Sequence, residues 1–392
     1  KELESEGKEI FKFGFGQSPF EVPENVVTEL KNNAYQNKYL PMQGLPELRQ
    51  VIAKFVSSRK NYEYKAENIL VGPGTKELMF LLHILFDGEV LLPAPSWVSY
   101  EPQAIIGRNK VHWVNTIREN NWFPTAEDIE KIVLKNKNNN YLLFLNSPNN
   151  PSGQIFENLK ELSVVVKKYN ILVLSDEIYS ELSFENNYMS ISNYCPEQTI
   201  ISSGLSKWCG AGGWRIGSLT FPQELNNIKE MVRKIASETY TAVSAPIQYA
   251  AIKAYTEDHT QYLINSRKIL ETIANYIHHE LTEVGIKCQK PQGGFYMLCD
   301  FSDVVKQSNE ISDGKSLCNN ILNEVGFAML PGSDFGIQNE LLISRIAFVD
   351  FDGGKALKLM GKDNEIPNDF LPLACPKIIK GIKKLKNWIK KN

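Results

Sequence analysis

The sequence predicts an α/β fold: a large domain with a mainly parallel sheet flanked by helices, and a smaller α+β domain. Two observations predict this class. Short apolar runs that end in turn residues alternate with amphipathic stretches, and after about residue 222 this alternation gives way to long helical segments. Apolar runs of this kind are typical of strands that are buried on both faces of a parallel sheet. The predicted strands cover residues 68–72, 89–93, 111–114, 141–146, 171–175, 199–203 and 216–221.

The amphipathic stretches between the strands predict helices. Over residues 75–86, four leucines recur at the spacing of one helix face, and residues 158–169 form a second candidate. Longer helices are expected near 224–237 and 245–284, followed by a mixed tail with glycine-rich turns at 293–294 and 353–354. Single cores stop growing at roughly 250–300 residues. A chain of 392 residues therefore predicts two domains: a large one at 25–255, and a small one formed by 1–24 and 256–392.

Charge and cysteine content narrow the class of partner and the compartment. The net charge is −2, with acidic and basic residues interspersed, so nothing indicates a nucleic-acid or anionic-membrane surface, and small molecules are the expected partners. No apolar run approaches the roughly 20 residues of a membrane span. Six cysteines are scattered without a Cys-x-x-Cys pair, as expected in a reducing compartment. We therefore expect a cytoplasmic protein or one of an organelle matrix.

Residues 204–217 carry the strongest chemical signal. Lys207 follows an apolar strand within a stretch of small residues, and Arg215 comes eight positions later. A lysine by itself is usually a solvated surface residue, but small neighbours allow a planar cofactor to approach the backbone. Desolvation lowers the pKa of an amine, which then becomes nucleophilic near neutral pH. An arginine can neutralise a phosphate through forked hydrogen bonds.

Segment 204–217 resembles the cofactor-attachment signature of the class I/II, fold type I, pyridoxal-phosphate-dependent aminotransferases. Further similar segments, including 291–296 and 330–336, extend over nearly the whole chain. The resemblance implies an aspartate aminotransferase-like enzyme in which Lys207 holds pyridoxal 5′-phosphate as a Schiff base. Such an enzyme transfers an amino group from an amino acid to a 2-oxo acid by a ping-pong mechanism. It needs a counter-charge for the pyridine nitrogen, a donor to the ring oxygen and an anion cradle for the phosphate.

Three residues match family positions around the cofactor ring. Asp176 follows the apolar run 171–175, at a strand end where α/β folds bind ligands. It is expected to keep the pyridine nitrogen protonated, and its local alternative is a helix N-cap. Tyr179 resembles the tyrosine that donates to the ring oxygen, and would otherwise be a core aromatic. Asn150 matches the residue that contacts the ring oxygen and the substrate carboxylate, although its segment could be a plain turn.

The phosphate cradle is expected at 71–77, where a strand joins a helix whose free NH groups and dipole favour an anion. A Walker P-loop is excluded because its Gly-Lys-Ser/Thr end is missing. By resemblance, Gly74, Thr75 and Lys76 supply phosphate-binding NH groups, and Trp97 stacks on the pyridine face instead of serving only as a packing residue. Tyr39 resembles the tyrosine that reaches the phosphate of the neighbouring subunit, which implies a homodimer with shared active sites.

Three residues are candidates for binding the substrate. Arg345 lies within an apolar strand-like run, and by resemblance its guanidinium fork binds the α-carboxylate. The alternative is an ion pair between the two lobes. Gly16, in a segment that could be a simple turn, matches a family glycine whose backbone lies near the substrate. Lys76 has two interpretations. It resembles the lysine that, in one subgroup of aspartate aminotransferases, recognises the acidic side chain of the substrate; alternatively, it is solvated or contacts the phosphate.

Two departures from the family pattern limit the inference. Many members have a phosphate-contacting serine three positions before the lysine, where this chain has Gly204. Ser202 or Ser203 is the candidate to replace that serine. The arginine that some aspartate enzymes use for the distal carboxylate has no match.

The expected reaction is transfer from aspartate to 2-oxoglutarate. The alternatives are an aromatic- or alanine-type aminotransferase, or a C–S lyase or synthase on the same fold. A non-catalytic cofactor-binding sensor is disfavoured, because Lys207 is present and no DNA-binding domain is added. The five histidines lie outside all of these motifs, so neither a metal site nor a histidine-based triad is expected.

Overall fold

The computed structural model describes residues 2–308, 310–361 and 363–391. The strands are β1 (Phe11–Lys12), β2 (Ile69–Gly72), β3 (Glu89–Ala94), β4 (Lys110–Asn115), β5 (Tyr141–Asn146), β6 (Leu172–Asp176), β7 (Thr199–Gly204), β8 (Gly217–Thr220), β9 (Lys287–Cys288), β10 (Tyr296–Asp300), β11 (Phe327–Ala328), β12 (Leu330–Pro331) and β13 (Ile343–Ala347). The α-helices are α1 (Glu2–Ser5), α2 (Glu24–Asn32), α3 (Pro46–Ser57), α4 (Thr75–Leu85), α5 (Tyr100–Ile106), α6 (Ala126–Val133), α7 (Leu159–Lys168), α8 (Asn226–Ser237), α9 (Ala245–Thr256), α10 (Thr260–Thr282), α11 (Gly314–Val325), α12 (Gly353–Leu359), α13 (Phe370–Ala374) and α14 (Pro376–Ile389).

Seven strands form the large sheet, in the order β2-β8-β7-β6-β5-β3-β4. Neighbouring strands from β3 to β7 pair in parallel, whereas β8 is antiparallel to both β2 and β7. Each of the seven matches a predicted strand to within one residue at each end, so the mainly parallel sheet is confirmed. The register places Asn146 opposite Asp176, and Asp176 opposite Ser202. The carboxyl ends of β5 and β6 are therefore level, and β7 extends two residues beyond them.

Side chains that alternate along the large sheet build two apolar layers. On one face, Leu142 and Phe144 of β5 pack with α4, α5 and α8. On the other face, Leu143 and Leu145 pack with α6 and α7. Burying each such side chain contributes roughly 1.5–3 kcal/mol. Because helices cover both faces, β5 is apolar at consecutive positions rather than at every second one.

The C-terminal part of the chain contains a second sheet of four strands, in the order β12-β13-β10-β9, and all of its pairs are antiparallel. Strand β1, near the start of the chain, pairs in parallel with β11. The first residues therefore lie against the C-terminal part.

Two local expectations were wrong. The helix expected over 245–284 is two helices, α9 and α10. The backbone is extended at Glu257, and Asp258 Oδ1 accepts a hydrogen bond from Thr260 N at 2.8 Å, which starts the second helix afresh. The turn expected at 353–354 is the start of α12, because Asp352 Oδ1 accepts a hydrogen bond from Lys355 N at 2.8 Å and caps the helix.

Within the described part of the chain, no helix has both the length and the apolar character that crossing a membrane requires.

Candidate active site

A cavity of about 450 Å³ opens beyond the carboxyl ends of β5 and β6, where ligands bind in open α/β sheets. It brings together ten of the twelve predicted site residues: Gly16, Thr75, Lys76, Trp97, Asn150, Asp176, Tyr179, Lys207, Arg215 and Arg345. Gly74 directly precedes the wall residue Thr75. Tyr39 does not line the cavity and is 90% exposed.

Asp176 is a buried carboxylate at the end of β6. Tyr100 donates a hydrogen bond to its Oδ2 at 2.7 Å, and Ile178 N donates to Oδ1 at 3.4 Å. Burial raises the pKa of Asp176 to about 6, although these two donors and the Lys207 ammonium act to lower it. A turn and a 3₁₀ segment follow Asp176 rather than an α-helix, so it is not a helix N-cap. A cation in the cavity would stabilise its charged form.

Tyr100 was not among the predicted site residues. It is fully buried at the start of α5, and its ring lies edge-on to that of Trp97, with centroids 5.4 Å apart. Helix α5 packs against β3 and β4, and its first residue reaches Asp176 across 76 positions of the chain. No local pattern in the sequence distinguishes Tyr100 from an ordinary core aromatic.

Arg345 is a buried cation at the cavity wall. It is 4% exposed; Nη1 donates to Asn150 Oδ1 at 3.0 Å, Nη2 donates to Gly14 O, and Nε has no hydrogen-bond partner in the described part of the chain. Among the described residues, no carboxylate forms an ion pair with it. The interlobe ion pair is therefore excluded as its role. Because an unpaired buried charge is costly, an anion from solution would stabilise Arg345.

Asn150 is fixed by the ends of two strands. Asn146 Oδ1 accepts a hydrogen bond from Asn150 N at 2.7 Å, and Asn146 Nδ2 donates to Asp176 O at 2.9 Å. With its Oδ1 engaged by Arg345, the amide nitrogen of the Asn150 side chain remains available to a ligand. The turn therefore holds the side-chain amide of Asn150 beside the guanidinium of Arg345.

Lys207 enters the cavity just past β7. Its Nζ donates a hydrogen bond to Gly16 O and lies 5.6 Å from the centroid of the Tyr179 ring. Gly16 has no room for a side chain, since a Cβ there would overlap the hydroxyl of Tyr296. The amine is therefore held between the N-terminal segment and the tyrosine that follows β6.

Tyr296 is a second site residue that was not predicted. It begins β10, and its hydroxyl shares a hydrogen bond with that of Tyr179 at 2.9 Å. The Arg345 guanidinium lies over its ring, 4.5 Å from the centroid. Tyr296 therefore links the residue beside Lys207 to the buried cation. The similar segment 291–296 was visible in the sequence, but nothing in it showed that this side chain points inward.

The N-terminus of α4 forms an anion cradle. Gly74 has φ 90°, which favours glycine, and a Cβ there would overlap the Arg215 guanidinium. No side chain of the described residues caps α4, so its first NH groups are left open to a ligand. Arg215 has φ 53°, a conformation that costs a non-glycine residue on the order of 1 kcal/mol. This strain and the missing cap both suit a bound anion with several oxygens.

Gly204 departs from the family pattern for a steric reason. It lies opposite Gly217 in the β7–β8 pair, and a Cβ at Gly204 would be 2.9 Å from Ile216 O. A serine at this position would require β7 and β8 to move apart.

Neither serine proposed to replace it lines the cavity. The Ser202 hydroxyl is buried without a hydrogen-bond partner, and Ser203 borders a different cavity, beside Arg59. Ser206, next to the catalytic candidate Lys207, lines the cavity instead. The structure therefore favours Ser206, which the sequence analysis did not consider.

Lys76 is another cation at the cavity wall. Its Nζ lies 5.0 Å from the centroid of the Trp97 ring, a contact worth about 0.5–1 kcal/mol at an exposed site. No carboxylate of the described residues pairs with it. Lys76 can thus meet an anion that lies against the tryptophan.

The chain resembles known proteins over nearly its full length. Residues 8–350 match the family model "Aminotransferase class I and II". The aspartate aminotransferase of Bacillus sp. (strain YM-2) is 32% identical over 358 residues, which cover 88% of this chain and 89% of that protein. That of Bacillus subtilis is 31% identical over 362 residues, covering 89% and 90%. The solved structure of the aspartate aminotransferase from Thermotoga maritima superposes with a TM-score of 0.84 at 25% identity, covering 99% of this chain and 94% of that one.

These similarities, together with Lys207 just past the end of β7 in a mainly parallel sheet, identify the protein as a pyridoxal 5′-phosphate-dependent transaminase. The chain belongs to the aminotransferase class I and II family. Its cavity fits that cofactor. The buried carboxylate of Asp176 can pair with a pyridine nitrogen. The free NH groups at the start of α4, together with Arg215, can bind a phosphate. The volume of about 450 Å³ is in the usual range of small-molecule sites.

Proposed function

We propose that the enzyme transfers the amino group of aspartate to 2-oxoglutarate. The observation that carries this proposal is a balance of charges at the cavity. Besides Lys207, which would be joined to the cofactor, the cations Lys76, Arg215 and Arg345 line it, and none of these three forms an ion pair with a carboxylate of the described residues. The cofactor phosphate would neutralise one of these cations, and the two carboxylates of a dicarboxylic amino acid would neutralise the other two. Alanine or an aromatic amino acid would leave one cation without a partner.

The residues that would hold the cofactor divide by the group they meet. Asp176 would pair with the ring nitrogen, while Tyr179 and Asn150 would donate to the ring oxygen. The NH groups of Gly74, Thr75 and Lys76, together with Arg215, would bind the phosphate, and Trp97 would stack on the ring. When bound, the cofactor supplies an electron sink for the negative charge that develops at the substrate α-carbon.

The substrate would be oriented by its α-carboxylate. Arg345 supplies a guanidinium whose Nε is still free, and Asn150 supplies its side-chain NH₂ group beside it. The backbone of Gly16 closes this side of the cavity. Two fixed donors restrict the rotation of the substrate, so that its α-hydrogen stays within reach of one base.

Lys207 is the proposed base. Its Nζ would take the proton from the substrate α-carbon and deliver it to the cofactor within the same half-reaction. In the second half-reaction Nζ would move a proton in the reverse direction, to the α-carbon of the new amino acid. Gly16 O, which accepts a hydrogen bond from Nζ, holds the ammonium form after the proton has been taken. Asp176 would support the step as a counter-charge for the ring nitrogen, because the hydrogen bonds from Tyr100 and Ile178 N help to keep it ionised.

The role of Lys76 decides the substrate, and a pair of variants tests it. We expect Lys76→Ala to lower kcat/KM for aspartate by about 10-fold or more, since a hydrogen-bonded charge pair contributes ~1.5–3 kcal/mol, and to leave alanine almost unaffected. Lys110→Ala is the matched control, because Lys110 is an exposed lysine paired with Glu89. Equal losses for both amino acids would place Lys76 at the phosphate instead.

A panel of amino donors tests the proposal as a whole. Aspartate and glutamate should be the best donors. Aspartate should yield oxaloacetate and glutamate should yield 2-oxoglutarate, in each case one molecule of 2-oxo acid for each amino group transferred. A preference for alanine or for aromatic amino acids would contradict the assignment of Lys76. Release of ammonia, or of a thiol from a sulfur amino acid, would favour the lyase or synthase alternative.

A homodimer is also proposed, with Tyr39 acting in the neighbouring subunit. The supporting observation is that this tyrosine is 90% exposed and lies away from its own cavity. Mixing two inactive variants, Tyr39→Ala and Lys207→Ala, should restore part of the activity, because a hybrid dimer has one intact site. No recovery after subunit exchange would count against a shared site.

The domain division and the compartment remain proposals of the same kind. We assign residues 25–255 to the large domain, and 1–24 with 256–392 to the small one; the pairing of β1 with β11 supports the second grouping. A reducing compartment such as the cytoplasm is supported by the six free cysteines.

A further inference from the structure

Cys288 and Cys299 face each other across the β9–β10 pair. They are direct partners in the antiparallel register, and both are free thiols. Opposed residues in such a pair have Cα atoms roughly 4.5–5.5 Å apart, within the roughly 4.4–6.8 Å that a disulfide bond spans. Side chains of directly opposed residues in such a pair lie on the same face of the sheet, close to each other. The register therefore places the two thiols side by side.

Only one of the two thiols can be reached from solution. Cys299 is fully buried, and burial raises its thiol pKa well above the ordinary value. Cys288 is partly exposed and borders an open surface cavity of about 520 Å³. The two cations of that cavity are paired, Arg118 with Glu119 at 3.8 Å and Lys287 with Asp303 at 2.5 Å, so the cavity has no strong net charge. An oxidant in solution can therefore approach Cys288 first, and Cys299 is placed to react second.

The segment between the two cysteines connects the small sheet to the active site. Gln292 N and Gly293 N both donate hydrogen bonds to Gly153 O, at 2.8 and 3.1 Å, in the loop that carries the substrate-binding asparagine. Tyr296 lies in the same segment and shares its hydroxyl hydrogen bond with Tyr179. A disulfide bond between Cys288 and Cys299 would join the two ends of this segment and close it into a loop.

We propose that Cys288 and Cys299 are a redox-modification site that forms a reversible disulfide with a low-molecular-mass disulfide, such as oxidised glutathione, as the oxidant. The Cys288 thiolate attacks a glutathione sulfur, the glutathione S–S bond breaks, and one glutathione leaves as a thiolate that takes up a proton. Cys299 then loses its proton and attacks the Cys288 sulfur, which releases the second glutathione. Two protein thiols are oxidised, and one glutathione disulfide is reduced to two thiols.

The test uses the complete holoenzyme treated with oxidised glutathione. Trypsin cleaves after Lys287 and Lys306 but not at Lys290, because proline follows it, so both cysteines fall in one peptide, 288–306. Oxidation should lower the mass of this peptide by two hydrogens and the number of thiols by two. Dithiothreitol should reverse both changes. Amide hydrogen exchange of residues 289–298 should slow in the oxidised form, and its Tm should rise.

Two serine variants make the result specific. Cys288→Ser changes a partly exposed residue, so it should fold, and it should lose no thiols under the same treatment. Cys318→Ser is the matched control, because Cys318 contacts Ser344 Oγ at 3.2 Å in a buried position that offers a partner to a hydroxyl; it should still form the link. An unchanged thiol count, a stable glutathione adduct on Cys288 beside an unreacted Cys299, or a link between other cysteines would overturn the proposal.

Discussion

Replacing Asp176 by asparagine should stabilise the cofactor-free protein at alkaline pH. The ordinary pKa of 3.8 rises to about 6 in the fold, chiefly because the carboxyl is buried. At about 1.36 kcal/mol per pKa unit, this difference corresponds to ~3 kcal/mol. Asparagine has nearly the same shape and can still accept the hydrogen bond from Tyr100, but it carries no charge.

The sign of the pH dependence follows from which state holds the proton. Between pH 3.8 and 6, folded Asp176 retains a proton that the unfolded chain has lost, so the free energy of unfolding falls as the pH rises. Above pH 6 this loss is complete. The advantage of Asp176→Asn should therefore be ~3 kcal/mol at pH 8 and about half of that at pH 5.

Thermal unfolding of the cofactor-free proteins measures this effect. With about 2.1 cal/mol/K of unfolding entropy per residue and 392 residues, an advantage of ~3 kcal/mol raises the Tm by about 4 °C. Asp87→Asn is the control, since Asp87 is exposed, and its Tm difference should not vary with pH. A variant that is no more stable than wild type at pH 8, or whose advantage does not shrink toward pH 5, would refute the reasoning.

Three further substitutions test other parts of the site. Arg345→Gln should lower kcat/KM for aspartate by about 100-fold, because hydrogen bonds to a charged group contribute ~1.5–3 kcal/mol each, and steady-state kinetics measures the loss. Tyr296→Phe removes the hydrogen-bond partner of the Tyr179 hydroxyl and should lower kcat about 5-fold, in line with ~1 kcal/mol for one hydrogen bond, with little change in Tm. Gly204→Ser brings a side chain against Ile216 O; it should destabilise the fold by ~1–3 kcal/mol, seen as a lower Tm.

Each of these expectations has a result that contradicts it. Undiminished use of aspartate by Arg345→Gln would mean that another group holds the α-carboxylate. Full activity of Tyr296→Phe would show that the pair of tyrosine hydroxyls has no part in the reaction. A Gly204→Ser protein as stable as wild type, with tighter cofactor binding, would show that a serine at this position can take up the phosphate contact after all.

The strands of the large sheet could be predicted because helices cover both of its faces. Under that condition each strand is a short apolar run with clear ends, and residues at or just beyond those ends, such as Asp176 and Asn150, are easily recognised as chemical candidates. The lysine signature at 204–217 is also local, since Lys207 and Arg215 lie only eight positions apart. Local patterns of this kind need no knowledge of the tertiary fold.

The contacts that were not predicted join distant parts of the chain. Tyr100 meets Asp176 across 76 positions, and Tyr296 meets Tyr179 across 117. Neither tyrosine belongs to a local pattern that separates it from a core aromatic. The space available for a side chain at Gly204 depends on the distance between β7 and β8, which cannot be read from the sequence. Side-chain partners and steric limits therefore required the structure.

Lys207 is the residue on which the mechanism depends, and borohydride reduction tests its role most directly. Reduction of the holoenzyme should fix the cofactor to one lysine through a stable bond, and peptide mapping then identifies that lysine. The predicted result is a single labelled peptide that contains Lys207, with no label in Lys207→Ala. A label on another lysine, such as Lys76, or a label that persists in the Lys207→Ala variant, would contradict the assignment.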